Sequence, residues 1–261
     1  MYIEIPPPPS LADFVECFWT RDLAPSDVTD VGQRVLPDGC VDFVVEIGAN
    51  PYPIAVGTMT RPLVLRSRTP HEFIGVRFKP GRAFAMLGIP ASELTDEHVP
   101  LSDVWRDVEG VVDEVVGAAS VPERVSALAR ALERRLIDAP RSAPEVDGAI
   151  RAIVASGGSI EVATLGPAIG VTRQHLARSF ARWVGVPPKT FARVVRLQRL
   201  LEALRSARDP HWSALATWAG YYDQSHLVTE FKELTGMTPS AWTRPGRGEG
   251  IGPRARGAGK E

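Results

Sequence analysis

Thr172-Arg173-Gln174-His175-Leu176-Ala177-Arg178-Ser179-Phe180 and Asp223-Gln224-Ser225-His226-Leu227-Val228-Thr229-Glu230-Phe231 carry one pattern twice. A shift of 51 residues lays His175 on His226, Leu176 on Leu227 and Phe180 on Phe231, then Gly185 on Gly236 and Pro188 on Pro239. Thr172 falls on Asp223, both favoured helix N-caps, and aromatic Phe191 falls on Trp242. Upstream, Ala163 meets Ala214 and Ala168 meets Ala219. The period is too long and the copies too few for a solenoid. A compact helical unit used twice fits better.

Each copy reads as helix–turn–helix. In the first, Val162 to Ile169 is a short helix, Gly170 breaks it, and Thr172 caps a second helix that turns Leu176 and Phe180 inward and ends at Gly185. In the second, Ser213 to Ala219 is the short helix, Gly220 the turn, and Asp223 the cap of a helix bearing Leu227 and Phe231 and ending at Gly236. A glycine turn followed by a capped helix is the geometry that projects a helix into a DNA major groove. Pro188 to Ser206 is predicted to be a linking helix, with Phe191, Val194, Val195, Leu197, Leu200, Leu201 and Leu204 as its apolar positions and Arg193, Arg196 and Arg199 recurring every three. About 18 helical residues span roughly 27 Å, near the ~34 Å between successive major-groove faces on one side of B-DNA. Two such units in one chain can therefore meet adjacent turns of a duplex.

Charge follows this division. The net charge of −1 over 261 residues conceals 14 basic and 21 acidic residues in 1–144 against 16 and 10 in 145–261. Between Arg173 and Arg208 stand nine basic residues and one acid, Glu202. A basic half joined to an acidic half points to a polyanionic partner for the former. Only four of the 30 basic residues are lysine, so phosphate contact would rest mostly on planar guanidinium groups.

Residues 1–105 read as β-rich. Val41-Asp42-Phe43-Val44-Val45 and Phe73-Ile74-Gly75-Val76-Arg77-Phe78 lie between turn residues, and Ile54 to Gly57 and Leu63 to Leu65 are further strand segments. Leu11 to Trp19 is expected to be helical with Ser10 as its cap, and Gly81 to Leu87 to be a short helix after a turn. Val121, Val125, Leu128, Leu132 and Leu136 recur at helical spacing, as a core face or a dimer seam. The expected fold class is α+β: a β-rich, sandwich- or barrel-like N-terminal domain (1–138, helical over about 106–138), a linker at 139–145, an all-α tandem helix–turn–helix domain at 146–244, and a disordered Gly/Arg-rich tail at 245–261.

At Ala219-Gly220-Tyr221-Tyr222-Asp223-Gln224-Ser225-His226-Leu227, Phe231-Lys232 and Gly236-Met237-Thr238-Pro239-Ser240-Ala241-Trp242 the sequence resembles the AraC/XylS family of bacterial transcription regulators, and Thr172 to Phe180 with Gly185 to Pro188 resembles the family's first unit. The resemblance spans about Ile150 to Arg244 and implies seven helices. Leu36 to Asp42 and Gly75 to Gly81 resemble a β-rich sensor domain fused to some members. By position in the motif, Arg173, Gln174, Ala177 and Arg178 would face base edges, Arg178 suiting guanine and Gln174 adenine. In the second unit Gln224, Ser225 and Thr229 occupy the reading face, and three acids against one lysine from Asp223 to Glu233 imply weaker binding. Thr172, His175, Arg182, Lys189, Arg193, Arg196, His226 and Lys232 are the backbone candidates, supplying affinity rather than sequence. The resemblance implies double-stranded DNA as partner, a small-molecule effector or a dimerising role for the N-terminal domain, a homodimer, and RNA polymerase if the protein activates. Trp19, Phe43, Phe73 and Phe78 are the aromatic candidates for an effector pocket.

Other classes fare worse. No apolar run approaches the ~18 residues of a membrane span. The N-terminus has no basic and apolar leader, so a cytoplasmic protein is expected. Cys17 and Cys40 cannot form a four-thiolate zinc site. A metal-dependent enzyme in residues 1–144 would have only His71 and His98 for imidazole ligands. A Cys40/His71 nucleophilic pair has no supporting motif. Neither a metal, a cofactor nor catalysis is expected.

Overall fold

The computed structural model describes the chain except residues 24–32, 49, 66–70, 137–142, 207–209, 245–249 and 252–261. The expected linker falls partly on the undescribed residues, as does the expected tail apart from Gly250–Ile251.

The N-terminal strands are β1 (Tyr2–Ile5), β2 (Val15–Leu23), β3 (Gln33–Val35), β4 (Val41–Ile47), β5 (Tyr52–Val56), β6 (Leu63–Leu65), β7 (His71–Phe78) and β8 (His98–Pro100), with β9 (Gly250–Ile251) near the C-terminus. Six of them form an antiparallel sheet ordered β1-β2-β7-β4-β5-β8, and β6-β3-β9 form a smaller one. Side chains alternate across the large sheet, as a pleated backbone requires, with one break in β2 where the register shifts between Val15 and Cys17. Phe18, Phe43, Val45, Ile74, Val76 and Phe78 face one way, into a core closed by α1 (Phe84–Leu87), α2 (Val108–Gly117) and α3 (Val121–Leu136). Cys17, Trp19, Val44 and Phe73 face the other way. There Trp19 lies across Gly75, its rung partner, where a Cβ would sit 2.4 Å from the indole.

Leu11 to Trp19 is not a helix. Pro9–Leu11 make one 3-10 turn and Val15–Leu23 become β2, a strand buried on both faces. Apolar residues on both faces read as helix or strand alike, and the sheet decides. The stripe Ala127, Leu128, Ala131 and Leu132 of α3 is core within the chain.

Seven helices follow: α4 (Pro144–Ala155), α5 (Val162–Ile169), α6 (Arg173–Val184), α7 (Pro188–Ser206), α8 (Trp212–Ala219), α9 (Gln224–Thr235) and α10 (Pro239–Trp242). They enclose two cores. One is centred on Ile153, Leu165, Phe180 and Phe191, the other on Val194, Leu197, Leu227 and Phe231. The helix α7 contributes to both. Among the described residues, no helix is long and apolar enough to cross a membrane.

The β-rich domain is docked against this helical domain. Leu36 joins the second helical core. Gly39 (φ +81°) lies under the Phe191 ring, where any Cβ would come within 2.5 Å. Gln198 donates to the Pro37 carbonyl at 2.6 Å. The hydroxyls of Thr58 and Thr95 donate to the carbonyls of Val184 and Gly185, at the end of α6. Phe84 packs on Trp183, ring centres 4.4 Å apart, and Arg82 pairs with Asp147 at 3.2 Å.

Candidate nucleic-acid interface

Both helix–turn–helix units are built from the same local chemistry. Thr172 Oγ1 accepts the His175 N–H at 3.1 Å, and Asp223 Oδ1 accepts the His226 N–H at 2.7 Å. These caps hold an otherwise unbonded N–H of the first turn. On α6, Leu176, Phe180 and Val184 are buried. Arg173, Gln174, His175, Ala177 and Arg178 are exposed on the opposite side. Arg173, Gln174 and Ala177, with Lys189 from the first turn of α7, line a concave groove of about 470 Å³. On α9, Leu227, Phe231 and Leu234 are buried, while Gln224, Ser225, Thr229 and Lys232 are exposed.

The two copies are not related by one shift. Gly170 closes α5 by bonding to Gly166 and Pro167, and Gly220 closes α8 by bonding to Ala216 and Thr217, a separation of 50 residues. Val171 and Tyr221 likewise bond to Gly166 and Ala216 at 3.0 and 2.9 Å. From the caps onward the separation is 51. The matching of Ala163 with Ala214 and of Ala168 with Ala219 is therefore out of register by one. The second turn holds one extra residue, Tyr222, which is 93% exposed.

Two of the phosphate candidates are committed elsewhere. Arg196 makes a two-pronged contact with the Glu230 carboxylate at 3.0 Å, donates to the Gly158 carbonyl at 2.8 Å, and lies 5.3 Å from the Tyr221 ring centre. Arg193 bonds Glu230 at 2.9 Å and also pairs with Glu233. Glu230 is 4% exposed, so α7 and α9 are joined by a nearly buried charge cluster. Arginine every third residue on α7 signalled cations. That they point inward was legible only from an acid set between Leu227 and Phe231 on the buried side of α9.

The remaining backbone candidates divide. Lys189 and Lys232 are exposed. Arg182 stacks over Phe84 of the β-rich domain, 5.0 Å from its ring centre. His175 Nε2 is 3.3 Å from Glu145, and His226 Nδ1 accepts the Tyr222 N–H at 3.3 Å while its ring meets Tyr221 edge-on. Both histidines thus have partners within the protein. Arg199, which the motif does not single out, stacks 4.0 Å from the centre of the half-exposed Trp218 ring.

The four aromatic candidates for an effector pocket are divided between the two faces of the sheet, Phe43 and Phe78 on one and Trp19 and Phe73 on the other. Phe43 and Phe78 meet edge-on at 4.8 Å in the filled core beneath the sheet, and Trp19 is packed on Gly75. Phe73 lines a cavity of about 380 Å³ on the other face, whose wall does not include Trp19, Phe43 or Phe78. Its wall includes Leu23, Ile54, Val56, Leu63 and Leu65, with Glu46, Tyr52, His71 and His98 as its polar members. Glu46 and His71 pair directly.

The cysteines have no nucleophilic partner in His71. Cys40 precedes β4 at the Val41↔Phe78 end of the ladder, and His71 starts β7 at the Ile47↔Glu72 end. Burial pushes the Cys17 thiol up to about 12 and raises Cys40 as well, which keeps both protonated.

Fold and surface together define a tandem helix–turn–helix DNA-binding domain attached to a β-rich domain. Residues 165–245 match the family described as a helix-turn-helix domain. Residues 3–100 match a domain of unknown function (DUF6597). No curated protein matches the chain. Among solved structures it is similar to a variant of apo ToxT from Vibrio cholerae (13% identity, 87% of this chain and 96% of that one, TM-score 0.45). ToxT with a bound unsaturated fatty acid also matches (13%, 86% and 93%, 0.43). So does the C-terminal domain of AraT, a response regulator from Geobacillus stearothermophilus (22%, 43% and 92%, 0.38).

Proposed function

We propose that the protein is a sequence-specific, cytoplasmic transcription regulator in which the β-rich domain controls how the helical domain meets DNA. The observation that carries this is the pair of capped helices, α6 and α9, each with its polar side exposed and both fixed to one rigid linking helix. The first unit supplies most of the base discrimination. Arg173, Gln174, Ala177 and Arg178 face base edges, and Lys189 and Lys232 contact phosphate. The cavity beneath Phe73 is the effector site. One of its walls, β4, leads through Gly39 and Pro37 directly onto α7. An effector acts there by binding one docking geometry better than another, since without a difference in affinity it shifts nothing. A homodimer, with RNA polymerase as partner in activation, completes the proposal.

The test is retention of fragmented bacterial genomic DNA on the protein, sequencing of the retained fragments, and a salt titration on the best. A shared motif of two blocks about one helical turn apart, lost steeply with salt, is the expected result. Retention without a shared motif would reject sequence-specific reading. Arg178→Ala should cost about 1–3 kcal/mol on the selected site, consistent with loss of a two-pronged guanine contact. Thr229→Ala should cost less, and the reverse order in competition binding would overturn the dominance of α6.

A further inference from the structure

We infer that the second helix–turn–helix unit recognises thymine-bearing base pairs by contact with the thymine methyl group, with Thr229 and the inserted Tyr222 as its discriminating side chains. This rests on the DNA-binding reading above.

Thr229 is exposed on α9, one turn beyond Ser225 and away from the buried Leu227 and Phe231. Its hydroxyl donates to the Ser225 carbonyl at 3.0 Å. That bond occupies the one donor of the side chain within the helix. What Thr229 offers a base edge is therefore its methyl group and an oxygen that can accept but not donate, so it has no donor left for the guanine or thymine acceptors. Tyr222 has no counterpart in the first unit, stands almost wholly in solvent, and is held at the N-terminal end of α9 by its N–H bond to His226. It adds a large, mostly apolar surface to the end of the helix that leads into a groove.

The charge distribution takes the arginines away from guanine reading in this unit and leaves Lys232 in the last turn of α9, far from the N-terminal end that enters the groove. Glu230 draws Arg193 and Arg196 inward, and Glu233 holds Arg193 a second time. Lys232 is the one basic residue of α9. The first unit, by contrast, presents Arg173 and Arg178. Guanine is read in the major groove chiefly by arginine or lysine, whereas thymine alone offers a C5 methyl to apolar groups, and a glutamine such as Gln224 suits the paired adenine.

The experiment uses the full chain and a synthetic duplex of the selected site. The α9 block is identified as the one whose preference survives Arg178→Ala. Each block is then synthesised with uracil for thymine, which deletes only the methyl. Uracil in the α9 block should weaken binding about fourfold per contacted methyl, the value of one buried carbon. Thr229→Ser keeps the hydroxyl and removes the methyl. It should lose a similar factor on thymine DNA and nothing further on uracil DNA, and Tyr222→Ala should lower the thymine-to-uracil ratio in the same block. Equal binding of thymine and uracil there, a requirement for guanine there, or an uracil effect confined to the α6 block would overturn the inference while leaving the regulator reading intact. Failure to retain any motif would overturn both.

Discussion

Arg77→Met should lower the stability of the protein by about 3–5 kcal/mol, the usual consequence of removing one partner from a buried ion pair. Arg77 is 4% exposed near the C-terminal end of β7. Its Nε lies 3.1 Å from Asp38 and its Nη2 3.1 Å from Asp42, while Nη1 donates to the Tyr2 hydroxyl at 3.2 Å and Glu4 stands 3.9 Å away. Methionine preserves much of the volume and none of the charge, so mutually repelling carboxylates remain with little water. Acid should partly rescue the variant. Burial already pushes Asp42 up to about 6 from 3.8, against the downward pull of Arg77. An acid raised in the folded state binds its proton more tightly there than in the unfolded chain. Its contribution is therefore most favourable below the unfolded value and declines as pH rises through the folded one. Without Arg77 that folded value rises further. The stability gap between variant and parent should be smaller at pH 5 than at pH 7.5 in denaturant titrations. An equal gap at both would mean that Arg77 contributes packing rather than charge. Because Asp38 sits in the turn that seats Gly39 on Phe191, the same variant should loosen the two domains.

The sequence was most informative where local chemistry repeats. The caps Thr172 and Asp223, the glycine stops and the inward Leu–Phe pairs are short-range features, and α5, α6, α8 and α9 follow from them. Long-range pairing was not legible in this way. Residues 11–19 carry apolar side chains at both helical and strand spacing, and only the neighbours β1 and β7 settle Val15 to Trp19 as strand. The aromatics Phe43 and Phe73 look alike in sequence, yet opposite strand parity sends one into the filled core and the other to the cavity wall. Arg193 and Arg196 show the same limit for charge. A cation's direction depends on what lies across from it, and Glu230 is more than 30 residues away in the chain.

That acid supports the second large prediction. Glu230→Gln should destabilise the helical domain by about 3 kcal/mol, because the Arg196 guanidinium would remain half-satisfied by the Gly158 carbonyl and Arg193 would retain only Glu233. The substitution also reverses the fate of two cations. Glu230 holds both, and His226 Nε2 lies 3.7 Å from the same carboxylate. With the charge removed, the guanidinium groups can swing toward a bound duplex as α7 and α9 lose their tie. Affinity for random-sequence DNA should then rise. The dependence of log K on log salt should steepen by up to roughly 0.9 for each arginine that reaches a phosphate. The ratio of specific to random binding should fall in parallel, since the relative placement of the two units is what matches two blocks of sequence. Salt titrations of parent and variant on the selected and a scrambled duplex separate these effects. An unchanged salt slope with a lower melting temperature would mean that Arg193 and Arg196 stay with the protein and that Glu230 is structural alone. A steeper slope with reduced discrimination would establish that this buried carboxylate exchanges nonspecific attraction for fixed spacing between the two reading helices.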